Sequence, residues 1–240
     1  MNDLEKTLSK INNGVIDKIY FLKGEDQFLQ NFFIDKLFLN IFSDTQGYKK
    51  FFTTNEFSGK EIIDSILSID LFASKKLFIV KDPQKIKGKP LDELLKYCNN
   101  PFDNHCLVLI NDNFADSDSF SKKMPKNILK LNVSTPFHGE LLKWAKIFIK
   151  ENGKIISMEL LNEIVENCGD SLYNVKNEIL EVLQIFGKLE RRVNFSNFEP
   201  KQKTILLVPR FAPSKMAVFQ DDLSIRNTVL LNNLRWLSLY

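Results

Sequence analysis

The feature that most constrains the fold is an uninterrupted apolar run, CLVLI, at residues 106–110. A strand with one face in solvent alternates apolar and polar residues, whereas a run of this kind is typical of strands covered on both faces of a parallel sheet. Other segments with strand character are KIYFLK at 18–23, YKKFFTTN at 48–55, KLFIV at 76–80 and ILKLNV at 128–133. Helical patterns separate these segments. The sequence therefore predicts an α/β domain with a mostly parallel sheet and helices on both faces.

The pattern of strands and helices changes near Pro136 and divides the chain into four predicted segments. Residues 1–135 form the α/β domain, and residues 136–187 carry three helical patterns that form a small all-helical domain. Residues 188–215 include three prolines and are interpreted as a linker. Residues 216–240 have helical character again.

Composition narrows the class of protein. The three cysteines are widely spaced and fit neither a disulfide framework nor a zinc site, which favours a reducing cytoplasm. No apolar run is long enough to span a bilayer, and the N-terminus lacks a signal core, so we expect no membrane partner. Residues 188–240 hold nine Lys/Arg and four Asp/Glu, a net charge of +5, which is compatible with a phosphate backbone as partner and equally with a solvated tail.

The turn after the first predicted strand tests whether the domain binds a nucleotide. A phosphate-binding loop at this place has the pattern G-x-x-x-x-G-K-[ST], whose backbone N–H groups and lysine hold the phosphates. The sequence here is FLKGEDQFL, which keeps Gly24 but places Glu25 and Asp26 where they repel an anion. The segment after the 106–110 strand has a single carboxylate, Asp112, so magnesium ligands are lacking too. We expect no catalytic residue, no metal and no cofactor.

The remaining candidates for chemistry have structural interpretations. His105 precedes a predicted buried strand, and His138 lies near the start of a helix. Trp144 lies beside the apolar stripe of its helix and is predicted to pack in a core. Lys75 and Lys76 are interpreted as a solvated start to the 76–80 strand.

A more unusual stretch is SILSIDLFASKKLFIV at 65–80, which has an apolar Leu-Phe pair after a helix, where polar residues are usual. The order strand, GEDQFL, helix and then SIDLFASKKLFIV resembles the delta subunit of the bacterial DNA polymerase III clamp loader. So does the helical segment WAKIFIKENGKIISMELLNEIVENCGDSLYNVKNEILEVLQIFG. The resemblance covers about residues 18–187. It implies a RecA/AAA+-like domain, a helical lid domain and a C-terminal collar, of which residues 216–240 resemble only a truncated start.

The resemblance also implies a function. Delta subunits do not hydrolyse ATP; they bind the ring-shaped sliding clamp and hold it open for loading onto primed DNA, as part of the DNA polymerase III holoenzyme. The implied partners are the sliding clamp, the other clamp-loader subunits and primed DNA. By position, Leu71 and Phe72 would enter an apolar pocket on the clamp, with Ile69 as a third contact. The alternative is that Leu71 and Phe72 pack inward on the sheet.

Two other functions stay open at this stage. One is an AAA+-type ATPase with a degenerate phosphate loop, for which Lys23 near the turn is the support. The other is a DNA-binding protein that uses the basic C-terminal segment, whose binding would weaken steeply with salt.

Overall fold

The computed structural model describes residues 3–42, 47–68, 75–113, 119–154 and 156–192, with the backbone alone for 185–192. The chain divides into two compact units, Met1–Thr135 and Pro136–Tyr240. Among the described residues, no helix combines the length and the apolar character that a membrane crossing requires.

The described part of the first unit alternates helices and strands. Its helices are α1 (Asp3–Asn12), α2 (Gln27–Ile41), α3 (Gly59–Leu67), α4 (Lys89–Asn99) and α5 (Ser119–Lys123), with a short 3₁₀ turn at Pro83–Lys85. Its strands are β1 (Ile19–Lys23), β2 (Tyr48–Thr53), β3 (Lys76–Lys81), β4 (His105–Asn111) and β5 (Lys130–Asn132).

The five strands form one parallel sheet in the order β2-β3-β4-β1-β5. The central strand β4 is buried along its whole length, as the CLVLI run predicts. In the register of β1 against β4, Phe21 lies opposite Leu109. The predicted α/β fold with a parallel sheet is confirmed.

Helices cover both faces of this sheet. On one face, Phe21, Phe78 and Leu107 share a core with residues of α3, α4 and α5. On the other face, the ring of Tyr20 from β1 meets that of Phe33 from α2 in an edge-to-face contact, with 5.1 Å between ring centroids. Successive residues of a strand point to opposite faces, so neighbouring apolar residues supply two cores.

The second unit contains α6 (His138–Glu151), α7 (Met158–Cys168) and α8 (Leu172–Arg192) among its described residues. Trp144 is 2% exposed, so its predicted core position is confirmed. Ser171 caps α8, because its hydroxyl accepts a hydrogen bond from the Asn174 N–H.

Helix α1 is absent from the sequence-based prediction. Its buried residues Leu4, Leu8 and Ile11 have helical spacing, and Asp3 and Glu5 lie in the first turn, where they favour the positive end of the helix dipole. The helical spacing is visible in the sequence, but the segment is short. A short helix depends on tertiary packing more than on its own propensity, so the spacing alone does not predict it.

Candidate functional site

The turn between β1 and α2 lies at the carboxyl edge of the sheet and is held by backbone hydrogen bonds. The Gly24 N–H donates to the Asn111 carbonyl at 2.9 Å, and the Asp26 N–H donates to the Val133 carbonyl at 3.0 Å. The Asp26 carboxylate caps α2 by accepting from the Leu29 N–H at 2.8 Å. These N–H groups of the turn and of the first helical turn are therefore satisfied within the protein.

Gly24 allows this turn to approach β5 closely. Its φ is 130°, in the region that favours glycine, and a Cβ at this position would lie 2.2 Å from the Ser134 nitrogen. Glu25 also contacts the segment that follows β5, because its carboxylate accepts a hydrogen bond from the Thr135 N–H at 3.2 Å. Hydrogen bonds from its own backbone and from Thr135 lower the pKa of Glu25, so the turn keeps a negative charge.

A polar network fills the space behind the turn. The side-chain amide of Gln30 donates to the Gly24 carbonyl at 2.7 Å and to the Asp112 carboxylate at 3.0 Å. The other Asp112 oxygen lies 3.2 Å from the Lys81 ammonium. Asp112, the single carboxylate expected after the apolar strand, is thus engaged by protein groups.

The geometry of the turn does not suit a phosphate. The N–H groups of Gly24, Asp26 and Leu29 donate to protein acceptors, and Glu25 and Asp26 add two carboxylates to the turn. Lys23, the support for the ATPase alternative, is buried at 2% exposure at the end of β1. Within the described ranges, no group of His, Cys, Asp or Glu side chains could hold a metal ion.

The amino edge of the same sheet carries the second candidate site, at the end of α3. This helix begins with a capping box, in which Ser58 and Glu61 exchange hydrogen bonds. Ile62, Ile63 and Ile66 are buried against the sheet. At the other end, the Ser68 hydroxyl donates to the Ser65 carbonyl at 2.7 Å.

Lys76, the first residue of β3, corrects a prediction, because it is 1% exposed rather than solvated. Its ammonium donates to the Ser68 carbonyl at 3.3 Å and lies 5.3 Å from the centroid of the Tyr48 ring. The buried stem and the carbonyl and aromatic partners together explain how a lysine is accommodated here. Lys75 is exposed, as predicted.

The predicted clamp-contacting residues Ile69, Leu71 and Phe72 lie outside the described residues. The residues that flank them, Ser68 and Lys75, lie at the end of α3 and just before β3. In a parallel sheet, the helix between two strands returns the chain to the amino edge. The predicted clamp-binding stretch and the phosphate-loop turn are therefore attached to opposite edges of the sheet.

His105 lies beside this amino edge and has the structural role that was predicted. It is 5% exposed, its Nδ1 lies 3.2 Å from the Tyr97 hydroxyl, and its ring contacts those of Phe78 and Phe102 edge to face. Burial, and then the nearby charge of Lys76, lower the pKa of His105. His138, the other predicted structural histidine, is the first residue of α6.

Comparison with known proteins finds one matching family and several solved structures with a similar arrangement of the chain. Residues 20–134 match the family described as DNA polymerase III, delta subunit. No curated protein sequence matches the chain significantly. The Bacillus subtilis DNA clamp loader delta protein YqeN has a similar fold, with a TM-score of 0.65 and 16% identity over 77% of this chain. This chain spans 58% of the length of that protein.

More distant likenesses involve two Thermotoga maritima proteins. The RuvB Holliday junction branch migration motor has a TM-score of 0.42 and 10% identity, over 78% of this chain and 63% of that one. A DNA polymerase III gamma subunit-related protein has a TM-score of 0.42 and 16% identity, over 79% and 62%.

The family match and the fold agree with the resemblance found in the sequence. The matched residues run from β1 through β5 and include the degenerate phosphate turn and the end of α3. The α/β architecture expected from that resemblance, a parallel sheet with helices on both faces, is confirmed. Residues 20–134, just under half of the chain, therefore resemble the delta subunit of DNA polymerase III in sequence, and the chain resembles a clamp loader delta protein in fold.

Proposed function

We propose that the chain binds a sliding clamp through Leu71 and Phe72, with Ile69 beside them, and helps to hold the clamp ring open. The observation that carries the proposal is the delta-subunit match over residues 20–134, because this range includes all three residues. In this proposal the other clamp-loader subunits supply the ATP hydrolysis, and the loaded ring encircles primed DNA.

The described flanks of the stretch support this assignment. Helix α3 is fixed at its start by the capping box and along its length by three buried isoleucines. Strand β3 is paired on both sides, by β2 and β4. Fixed attachment points at both ends reduce the conformational entropy that a segment between them loses on binding, which favours affinity.

The turn at the carboxyl edge supports a role without nucleotide chemistry. The N–H groups of Gly24, Asp26 and Leu29 are satisfied within the protein, and Glu25 and Asp26 are acidic, which favours a binding role over nucleotide chemistry. The domain boundaries that we propose are 1–135 for clamp binding, 136–187 for the lid, 188–215 for the linker and 216–240 for a collar segment. Helix α8 continues past the predicted start of the linker as far as Arg192. Assembly with partner subunits is part of the same proposal.

Co-elution in gel filtration tests the proposal. The purified chain should co-elute with the sliding clamp from its own source, and the variant Leu71→Ala/Phe72→Ala should elute separately. If the chain instead ran with duplex DNA in the absence of clamp, and released it as salt increased, the DNA-binding alternative would be favoured. Saturable ATP turnover by the isolated chain would favour the ATPase alternative.

A further inference from the structure

The C-terminal end of α3 lacks a cation of its own. The last carbonyl groups of a helix have no partners within the helix, and the helix dipole makes this end electronegative. No Lys, Arg or His lies in the last turn of α3. A cation that stabilises this end can therefore come only from another element.

Two lysines from neighbouring strands supply it. Lys76 of β3 donates to the Ser68 carbonyl at 3.3 Å, and Lys50 of β2 donates to the Ser65 hydroxyl at 3.1 Å. Each ammonium also lies over an aromatic ring, Lys76 over Tyr48 at 5.3 Å and Lys50 over Phe52 at 4.9 Å. Both cations thus lie against rings of the edge strand β2.

Lys76 differs from Lys50 in its place along the chain. It is the first residue of β3, eight positions after Ser68. Its backbone is fixed independently of its side chain, because its N–H donates to the Asn104 carbonyl at 2.9 Å. The link to Ser68 therefore joins the point where the chain leaves α3 to the point where it enters β3.

We propose that Lys76 is a positioning residue: its ammonium holds the C-terminal end of α3 against the start of β3, and so sets the spacing between the two ends of the stretch that contains Leu71 and Phe72. Its relevance to clamp binding rests on the proposed function. The positioning role itself concerns Ser68, Lys76 and Tyr48, all of which the structure describes.

Hydrogen exchange of the full chain tests the role without the clamp. Lys76→Met removes the charge and keeps the chain length, and we expect exchange of the amides at residues 65–68 to rise roughly tenfold, since a charged hydrogen bond is lost. The amides of Cys106–Ile110 serve as the reference and should change little. Lys75→Met is the matched control, because this neighbouring lysine is exposed, and Lys76→Arg should restore protection by keeping a cation.

No rise at residues 65–68, or an equal rise at 106–110, would overturn the positioning role. If Lys76→Met does not fold, Lys76→Gln carries the same prediction, because its shorter side chain falls short of the Ser68 carbonyl. Clamp affinity is then measured for the same variants, with a roughly tenfold loss expected for Lys76→Met and none for Lys75→Met. A selective rise in exchange with no clamp binding by the unmodified chain would support the positioning role and reject the proposed function.

Discussion

The side-chain amide of Gln30 lies 2.7 Å from the Gly24 carbonyl oxygen and 3.0 Å from a carboxylate oxygen of Asp112. One buried side chain therefore connects the turn after β1 with the residue that follows β4, in the region where a G-x-x-x-x-G-K-[ST] loop would hold phosphate. These hydrogen bonds give the carboxyl edge of the sheet a structural role, because they hold the turn and the segment after β4 together.

Replacement of Gln30 tests that interpretation. Gln30→Ala leaves the Gly24 carbonyl and the Asp112 carboxylate without this donor, and should lower the free energy of unfolding by about 1–3 kcal/mol. Asn40→Ala is the matched control in the same helix, because Asn40 makes one exposed hydrogen bond, to the Lys36 carbonyl. Urea denaturation measures both, and equal losses would contradict a special role for Gln30.

Gly24 should tolerate substitution poorly for two reasons that can be separated. Gly24→Ala adds an unfavourable positive φ and a Cβ only 2.2 Å from the Ser134 nitrogen. Gly14→Ala shares the positive φ, but its Cβ would meet no atom within 4 Å. We expect Gly14→Ala to cost about 1 kcal/mol and Gly24→Ala clearly more in thermal or urea unfolding. Equal costs would contradict the close approach of the turn to β5.

The pKa of His105 should report on Lys76. Burial and the Lys76 charge both lower it, so Lys76→Met should raise it while leaving it below the ordinary value. Tyr97 also faces the ring, and because burial raises the pKa of its hydroxyl, Tyr97 stays neutral over this range. NMR titration of the His105 ring measures the shift. An unchanged His105 pKa would contradict the proximity of the two groups.

The same shift predicts a pH dependence of stability. A histidine with a lowered pKa in the fold binds fewer protons when folded than when unfolded. Its contribution to stability is therefore complete above the unfolded pKa of about 6.5, and it is lost as the pH falls towards the lower folded value. The free energy of unfolding should fall below pH 6.5 by a smaller amount in His105→Phe than in the unmodified chain. Equal slopes would contradict a buried neutral His105.

The phosphate turn predicts an outcome for nucleotides. The N–H groups of Gly24, Asp26 and Leu29 donate to protein acceptors, and Glu25 and Asp26 add negative charge, so calorimetric titration with MgATP should give no saturable heat. Saturable binding that disappears in Lys23→Met would revive the ATPase alternative.

Much of the fold follows from sequence patterns, because a strand that is buried on both faces appears in the sequence as a continuous apolar run. The apolar run of β4 identifies a central strand, and Ser58 and Glu61 identify the start of α3 by their spacing. Lys76 is different, because its burial depends on a carbonyl eight residues earlier and on a ring in another strand. Such long-range partners leave no local pattern, and a lysine beside a second lysine is ordinarily a surface residue.

The candidate site, like the fold, was predictable from the sequence only in part. The loss of a phosphate loop is visible in FLKGEDQFL, since the required residues are absent. That Gln30 and Asp112 meet behind the turn is not visible, because they lie in different elements and come together only when β1 pairs with β4. The assignment of Leu71 and Phe72 came from family resemblance, and it remains a prediction.

Titration of the full chain with its sliding clamp tests the central claim most directly. Burial of a Leu and a Phe side chain contributes about 1.5–3 kcal/mol each, so Leu71→Ala/Phe72→Ala should raise the Kd at least roughly a hundredfold. Leu39→Ala/Phe51→Ala removes a matched pair that is 61% and 48% exposed elsewhere on the domain, and should leave the Kd unchanged. Equal affinity of Leu71→Ala/Phe72→Ala and the unmodified chain would contradict clamp binding through this pair.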